Sequence, residues 1–400
     1  MKKDSLSNSI SILSLLTVLV VLSTGVFFYS LPQIVYFGYF LILSIFLILR
    51  SDEIHFNKWI LLIVFFSFFS ICVNNIPEKF SPWKRYIIFI IMLLPISSVI
   101  TSYYIAYFRI KTFDLFIKII SILILFSFVG YLLHIEAFYH EKTHTFRGLM
   151  IYCMVLGPFA AIATIYFLLN YLYTRKIIYF IFVIMSFLTC LLSGSRGAFI
   201  ALVGSFLYFL CIYCKNNIYL LLKSIVVIIF LSVILINFFP SYMDSLTEKQ
   251  INNIEAGGTF ASRSKLIQDR VEEFLGHPLF GSGFASVDLS IVKYTSVSDD
   301  GKVEPGSSWL FILSSIGILA FIVFIRLIIF PLIIIYKEAK STSYDSILMG
   351  CVMVIFVIHM IVEGYILSAG SFLFWGAWLV IGIIQDDSLN IVKNEKYSFF

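Results

Sequence analysis

Charge is scarce in this chain. Of its 400 residues 13% are charged, against 60% hydrophobic and 18% aromatic, where a soluble domain carries about 25% charged residues. That shortage excludes a soluble fold, because a water-facing surface of ordinary polarity cannot be built from so few charges. A bilayer accepts the apolar excess. Apolar runs of about 20 residues recur along the whole length, each long enough to cross a hydrocarbon core. Backbone in lipid must satisfy its own hydrogen bonds, so such runs are helices. The net charge of +5 is modest and dispersed over loops; it indicates no nucleic-acid partner and suits loops lying against anionic lipid.

Other absences narrow the reading further. The six cysteines fall inside or at the edges of apolar runs. Cys211 and Cys214 form a CxxC without a second Cys or His pair nearby, so small apolar residues explain them better than metal or redox chemistry. His134, His140 and His144 share a loop but match no metal-ligand spacing. No compact cluster of carboxylates suggests a two-metal site; Asp299-Asp300 reads as a loop pair. The start, Met1-Lys2-Lys3 and an apolar run, imitates a signal peptide, but no small-residue cleavage site follows. It is expected to stay as the first helix. No internal repeat or low-complexity linker divides the chain, which reads as one membrane domain over 1–400.

The expected fold is all-α: a polytopic membrane bundle of about twelve spans. They run near 10–29, 32–49, 59–74, 86–106, 115–133, 149–172, 177–193, 198–214, 218–238, 309–330, 346–366 and 369–385. Basic residues in short loops orient the bundle. Thirteen of them, Arg109 among them, fall on one side. The opposite short loops hold six: Lys79, Lys84, Arg85, Lys142, Arg147 and Arg196. Both termini are therefore expected in the cytoplasm, and a large loop at 240–308 outside. That loop carries ten Asp/Glu against six Lys/Arg. Within it Arg263–Leu275 reads as a short helix ended by Gly276 and Pro278. Arg263, Ile267, Val271 and Leu275 form one stripe; packed on the membrane domain, it would turn Arg263 inward.

Three span heads then face outward with donors. Arg147-Gly148 precedes the sixth span, Ser193-Gly194-Ser195-Arg196-Gly197 the eighth, and Gly306-Ser307-Ser308 the tenth. Helix N-termini carry free N–H groups and partial positive charge, and arginine offers a fork matched to phosphate oxygens. Each arginine alone also fits a residue snorkelling to the interface. Together they suggest an external pocket for a phosphate-bearing ligand. His359 and Glu363 lie one turn apart in the eleventh span, where polar groups are costly and often functional; a hydrogen-bonded pair locking two helices is the structural alternative. Lys118, Lys223 and Arg326 read as snorkelling residues.

With these motifs placed, the chain resembles the superfamily of O-antigen polymerases and O-antigen ligases, most clearly over about 145–330. Leu192-Ser193-Gly194-Ser195-Arg196-Gly197-Ala198 resembles the family's S-x-S-R-G/T segment. Ala261-Ser262-Arg263 followed by Gly276-His277-Pro278-Leu279-Phe280-Gly281-Ser282-Gly283-Phe284 resembles its loop block of an arginine, a helix and h-P-l-f-G-x-G. Gly306-Ser307-Ser308-Trp309-Leu310 through Gly317 resembles the span that follows, and Arg147-Gly148 a weaker block. The resemblance implies a metal-independent integral-membrane glycosyltransferase fold and no cofactor. It implies glycosidic bond formation on the outer face of the cytoplasmic membrane, from an undecaprenyl-diphosphate-linked oligosaccharide. In that role Arg147, Arg196 and Arg263 would hold the diphosphate. Ser193, Ser195, Gly197, Ser307 and Ser308 would support them, and Glu304, His359 or Glu363 would serve as base. A polysaccharide chain-length regulator is a possible partner. Ligases of the family usually carry a histidine just before the span after the large loop; here Glu304-Pro305-Gly306-Ser307-Ser308 stands there, which favours polymerase. The product would be O-antigen, capsule or exopolysaccharide. Rival readings are a ligase and, from another class, a flippase of lipid-linked oligosaccharides. A flippase is expected to show two related halves and no large outer loop.

Overall fold

The computed structural model describes residues 2–141, 145–213, 259–337 and 344–388. Among them are thirteen α-helices and one two-residue strand pair. α1 (Lys2–Leu22), α2 (Gln33–Leu49), α3 (Lys58–Val73), α4 (Pro82–Ile96) and α5 (Tyr103–Leu132) come first. α6 (Cys153–Thr174), α7 (Ile177–Leu192) and α8 (Arg196–Tyr213) follow. After them come α9 (Thr259–Gly276), α10 (Ser308–Ile316), α11 (Ile318–Lys337), α12 (Tyr344–Val362) and α13 (Phe372–Ser388). Five helices, α5, α6, α8, α11 and α12, are long and apolar enough to cross a membrane, and apolar stretches of 10–17 residues lie in α1, α2, α3, α7 and α13. The chain is a multi-pass helical membrane protein. The expected ninth span, 218–238, lies outside the described residues, as do Cys214, His144 and the loop up to 258.

Helix starts follow ordinary capping chemistry. The Asn57 side chain accepts from the Trp59 N–H at the head of α3 (3.0 Å), and Ser102 Oγ accepts from the Ile105 N–H at the head of α5 (3.2 Å). Pro82 occupies the first position of α4, where its missing N–H costs nothing. The core centres on α13, whose Trp375 and Trp378 are both fully buried. Trp375 meets Phe116 of α5 edge-on at 4.9 Å, and Phe372 meets Phe159 of α6 at 4.7 Å. Trp378 packs edge-on against Phe89 of α4 and donates from Nε1 to the Ile366 carbonyl (2.9 Å).

Two span boundaries differ from the sequence reading. The run 86–106 is not one helix. α4 ends at Ile96, just after Pro95, and residues 97–99 turn into the short strand Ile100-Thr101, which pairs antiparallel to His55-Phe56. α5 then runs 30 residues from Tyr103 and takes in the expected loop around Arg109. Arg109 is therefore no loop charge but a fully buried one. Its guanidinium donates to the carbonyls of Pro95 (3.0 Å), Ile100 (2.8 Å) and Ser97, which the end of α4 and the non-helical link leave without helical partners.

The second difference is the tenth span. Residues 308–330 break at Gly317 (φ +92°) into the short α10 and the full-length α11. An unbroken helix would hold residues 309 and 324 about 22 Å apart. Instead Trp309 meets Phe321 (6.2 Å) and Phe324 (5.4 Å) edge-on, so α10 folds back on α11. Lower down, the Arg326 guanidinium lies 4.1 Å over the Trp59 ring at the start of α3, which sets α11 antiparallel to α3.

A candidate active site at one end of the bundle

Leu192–Ala198 is a helix-to-helix turn. Gly194, at φ +63°, takes the left-handed conformation that ends α7, and its N–H bonds to the Leu191 carbonyl (3.0 Å). Ser193 is buried and donates to the Cys190 carbonyl (2.7 Å). Ser195 Oγ accepts weakly from the Ala198 N–H (3.4 Å), and Arg196 opens α8. Gly197 has no Cβ, and one built there would run into Val362 and approach His359 of α12. That close approach sets the head of α8 against the C-terminal end of α12.

The same end receives the chain from the large loop. Ser308 donates from its backbone N–H (3.1 Å) and from Oγ (2.7 Å) to the Glu363 carbonyl, and its Oγ accepts from the Tyr365 N–H (3.0 Å). Ser307 Oγ donates to the Met360 carbonyl (3.2 Å), and Trp309 Nε1 to the Val357 carbonyl (3.1 Å). Pro305 packs so tightly on Gly364 that a Cβ there would overlap it. Glu304 is exposed and accepts from Ser296 Oγ (2.9 Å). Arg196, Gly197, Glu304, Ser307, Ser308, His359 and Glu363 thus gather at one end of the bundle. Arg196 is exposed, Glu363 half-buried, and His359 fully buried, its ring tilted 5.7 Å from that of Tyr365.

Two expected members stand differently. Arg147 is six residues ahead of the first residue of α6, directly after the Tyr139–Phe146 bridge, not at the helix head. Its guanidinium lies 4.6 Å over the Phe27 ring and donates to the Ala137 carbonyl (3.3 Å); neither partner belongs to the gathered group. Arg263 falls in the first turns of α9, with its side chain outside the described part of the structure. The helix itself is anchored near the group, because Leu266 packs on Gly306.

α9 presents the opposite face to the one its apolar stripe suggests. Ile267, Val271 and Leu275 are 47%, 40% and 70% exposed, while Leu266, Asp269, Arg270 and Glu273 are buried. The stripe does not pack on the membrane domain, and the reason is polar. Arg270 Nη1 donates to Glu273 Oε2 (2.6 Å) and Nη2 to Thr295 Oγ1 (2.8 Å), and the guanidinium lies over the Phe311 ring of α10 at 5.4 Å. Glu273 Oε1 accepts from the Asp288 N–H (2.7 Å). Burial outweighs the attraction of Arg270 and pushes the Glu273 carboxyl up to about 6. Asp269 accepts from the N–H groups of Lys293, Tyr294 and Thr295 and from the Thr295 hydroxyl. Against the upward push of burial, these donors hold its carboxyl below the ordinary range. A buried network of paired groups binds the loop more specifically than three aliphatic side chains would. The sequence reading missed it, though 269, 270, 273 and 277 fall at helical spacing on one face.

The His277–Gly283 block repairs the break between α10 and α11. Ser282 and Gly283 donate their N–H groups to the Ser314 (2.8 Å) and Ser315 (3.1 Å) carbonyls, and Ile318 N–H donates to the Pro278 carbonyl (3.0 Å). Ser70 Oγ bonds the Ser315 carbonyl (2.7 Å), and Asn74 Nδ2 the Gly281 carbonyl (2.9 Å), which ties the block to the end of α3. Gly281 (φ +69°) lies against the Ser315 backbone and Gly317 against the Leu279 carbonyl; a Cβ at either would overlap backbone.

Comparison with known proteins agrees with the motifs. No curated protein matches the chain. Residues 180–325, from within α7 to within α11, match a family described as O-Antigen ligase, and the stretch includes Arg196, Arg263 and Glu304. Over that stretch the match supports the resemblance to the O-antigen ligase and polymerase superfamily read from the motifs.

Proposed function

We propose that this protein is a polymerase that joins undecaprenyl-diphosphate-linked oligosaccharide repeat units on the outer face of the cytoplasmic membrane. It would be built as a metal-independent membrane glycosyltransferase with both termini in the cytoplasm. The observation that carries the reading is the meeting of Arg196, Glu304 and Glu363 at one end of the bundle, beside the anchored start of α9 with Arg263. A cation with free donors and carboxylates in one place is what transfer from a diphosphate requires.

An acceptor sugar hydroxyl attacks the anomeric carbon of the donor glycan. The anomeric C–O bond to the diphosphate breaks, and its electron pair leaves with the phosphate oxygen. Arg196 and Arg263, with the free N–H groups at the head of α8, stabilise the negative charge that develops there. The hydroxyl proton passes to a base. Glu304 is exposed and Glu363 half-buried, so an acceptor reaches these carboxylates before the buried His359 imidazole. Ser307 and Ser308 already bond the Met360 and Glu363 carbonyls. Their part is to hold Glu363 and Glu304 together, with Ser193 and Ser195 shaping the turn that presents Arg196. Arg147 would meet the diphosphate or its lipid from a neighbouring loop.

The family description favours a ligase as the second reading. Glu304-Pro305-Gly306-Ser307-Ser308 favours polymerase, because Ser307 and Ser308 serve as backbone anchors where the ligases usually carry a histidine. The test uses purified protein, lipid-linked repeat units and EDTA. A polymerase makes a ladder of longer lipid-linked chains. Transfer only to an acceptor lacking a polyprenyl diphosphate would indicate a ligase, and activity that vanishes with chelator and returns with a divalent ion would sink the metal-independent mechanism.

A further inference from the structure

α9 meets three environments around its circumference. At about 100° per residue, the buried Leu266, Asp269, Arg270 and Glu273 fall within about 100° of arc on one side. The remaining surface divides in two. Ile267, Val271 and Leu275 are exposed on one flank, with half-buried Phe274 beside them, and Lys265, Gln268 and Glu272 lie on the other. A helix with one side on its own protein needs no apolar flank towards water.

The apolar flank is continuous with the lipid-facing surface of the bundle. Leu275 leads through Gly276–Pro278 to Leu279, itself exposed. The next residue, Phe280, stacks on Phe69 of α3 (6.2 Å), and Phe69 meets Phe65 (4.5 Å), an exposed aromatic on the outer face of that apolar helix. Beside them, Trp83 and Tyr86 of α4 pack on Phe68. Trp, Tyr and Phe gathered beside the apolar α3 have the composition of the aromatic belts found at a membrane–water boundary. α9 leaves this cluster with an apolar flank and a polar flank, which is the pattern of a helix lying in the interface plane.

We infer that α9 rests in the bilayer surface, with Ile267, Val271, Leu275 and Leu279 in the acyl boundary and Lys265, Gln268 and Glu272 towards water. The partner of this flank is the lipid itself. The large loop is then moored to the membrane at the level where a lipid-linked diphosphate would lie. The placement does not depend on the enzymatic reading.

The test uses the full-length chain with its six native cysteines replaced, in nanodiscs of ordinary or acyl-brominated phospholipid. Single cysteines at 267, 271, 275, 268 and 272 each carry an environment-sensitive fluorophore. Brominated lipid should quench positions 267, 271 and 275 about twofold or more over 268 and 272, with aqueous iodide giving the reverse order. Equal quenching at all five positions would overturn the inference. So would stripe positions shielded from both quenchers, the result expected if residues 214–258 or a second copy of the chain cover the flank. Three positions sample the same plane, so a label that disturbs one leaves two to decide.

Discussion

Arg109 and Asp386 are 277 residues apart in the chain and form a fully buried ion pair, Nη1 to Oδ2, at 2.8 Å. Thr101 Oγ1 donates to the other carboxylate oxygen at 2.6 Å. The pair joins the links around α4 and α5 to the last helix, α13.

That relationship makes Arg109 a structural residue, unsuitable as a silent control. Arg109→Ala leaves Asp386 buried without its partner and is expected to cost about 3–5 kcal/mol. Detergent melting and monodisperse yield should both fall sharply. Removing both charges, as in Arg109→Met with Asp386→Leu, should recover much of the loss, because breaking a buried pair costs more than replacing it. Lys176→Ala, an exposed site between α6 and α7, is the control expected to leave melting and activity unchanged.

The repaired helix break offers a second test. Gly281→Ala and Gly317→Ala each place a Cβ against backbone at a positive φ. Each is expected to lower stability by about 1–3 kcal/mol. Gly38→Ala, where no atom lies within reach of an added Cβ, should leave the melting temperature near wild type or raise it slightly.

The large loop should carry a pH signature. The Glu273 carboxyl is raised to about 6 from an ordinary value of 4.5. A carboxyl raised in the folded state favours folding below its unfolded pKa, and this contribution disappears as pH rises through 6. Acidification from pH 7 to 4.5 should therefore stabilise the loop through this group by about 1–2 kcal/mol. Asp269 and Asp288, both held low, oppose this only at still lower pH. Trypsin resistance of the loop, compared between pH 7 and 5 at matched protease activity, should rise in wild type. In Glu273→Gln that dependence should be absent; its persistence would reassign the titration.

The Arg196 side chain makes no hydrogen bond or ion pair among the described residues, and the residue is exposed. If it grips the diphosphate, Arg196→Ala should remove about 2–4 kcal/mol of transition-state stabilisation, a loss of about 30- to 1000-fold in rate. Arg196→Lys keeps the charge but not the planar fork and should recover only part of it. Melting should stay near wild type in both. Wild-type polymerisation by either variant would leave Arg196 as an interface anchor only.

Orientation can be read directly. Single cysteines replacing Ser296 or Lys302, both on the large loop, should react with an impermeant thiol reagent in intact cells, or in spheroplasts where an outer membrane is present. Labelling only after lysis would invert the bundle and move the proposed site to the cytoplasmic face.

Much of this architecture was legible without coordinates, because burial in lipid leaves a one-dimensional mark. An apolar run of sufficient length must be helical whatever surrounds it. The turn Leu192–Ala198 was legible because Gly194 ends α7 in the left-handed conformation; the loop block ending in Gly281-Ser282-Gly283 and the start at Ser307-Ser308 were legible as blocks that resemble the family's. What only the tertiary structure decided were relationships between distant segments. Hydropathy alone counted Arg109 as a loop charge, since nothing nearby in sequence announces Asp386. It likewise left open which way Ile267, Val271 and Leu275 face, since an apolar stripe can pack on protein or on lipid. The partners of Arg270 and Glu273, namely Phe311, Thr295 and the Asp288 N–H, lie 15 to 41 residues further along the chain. A buried charge is tolerated only where its partners converge in space, so the folded chain alone could show which face of α9 is the inside.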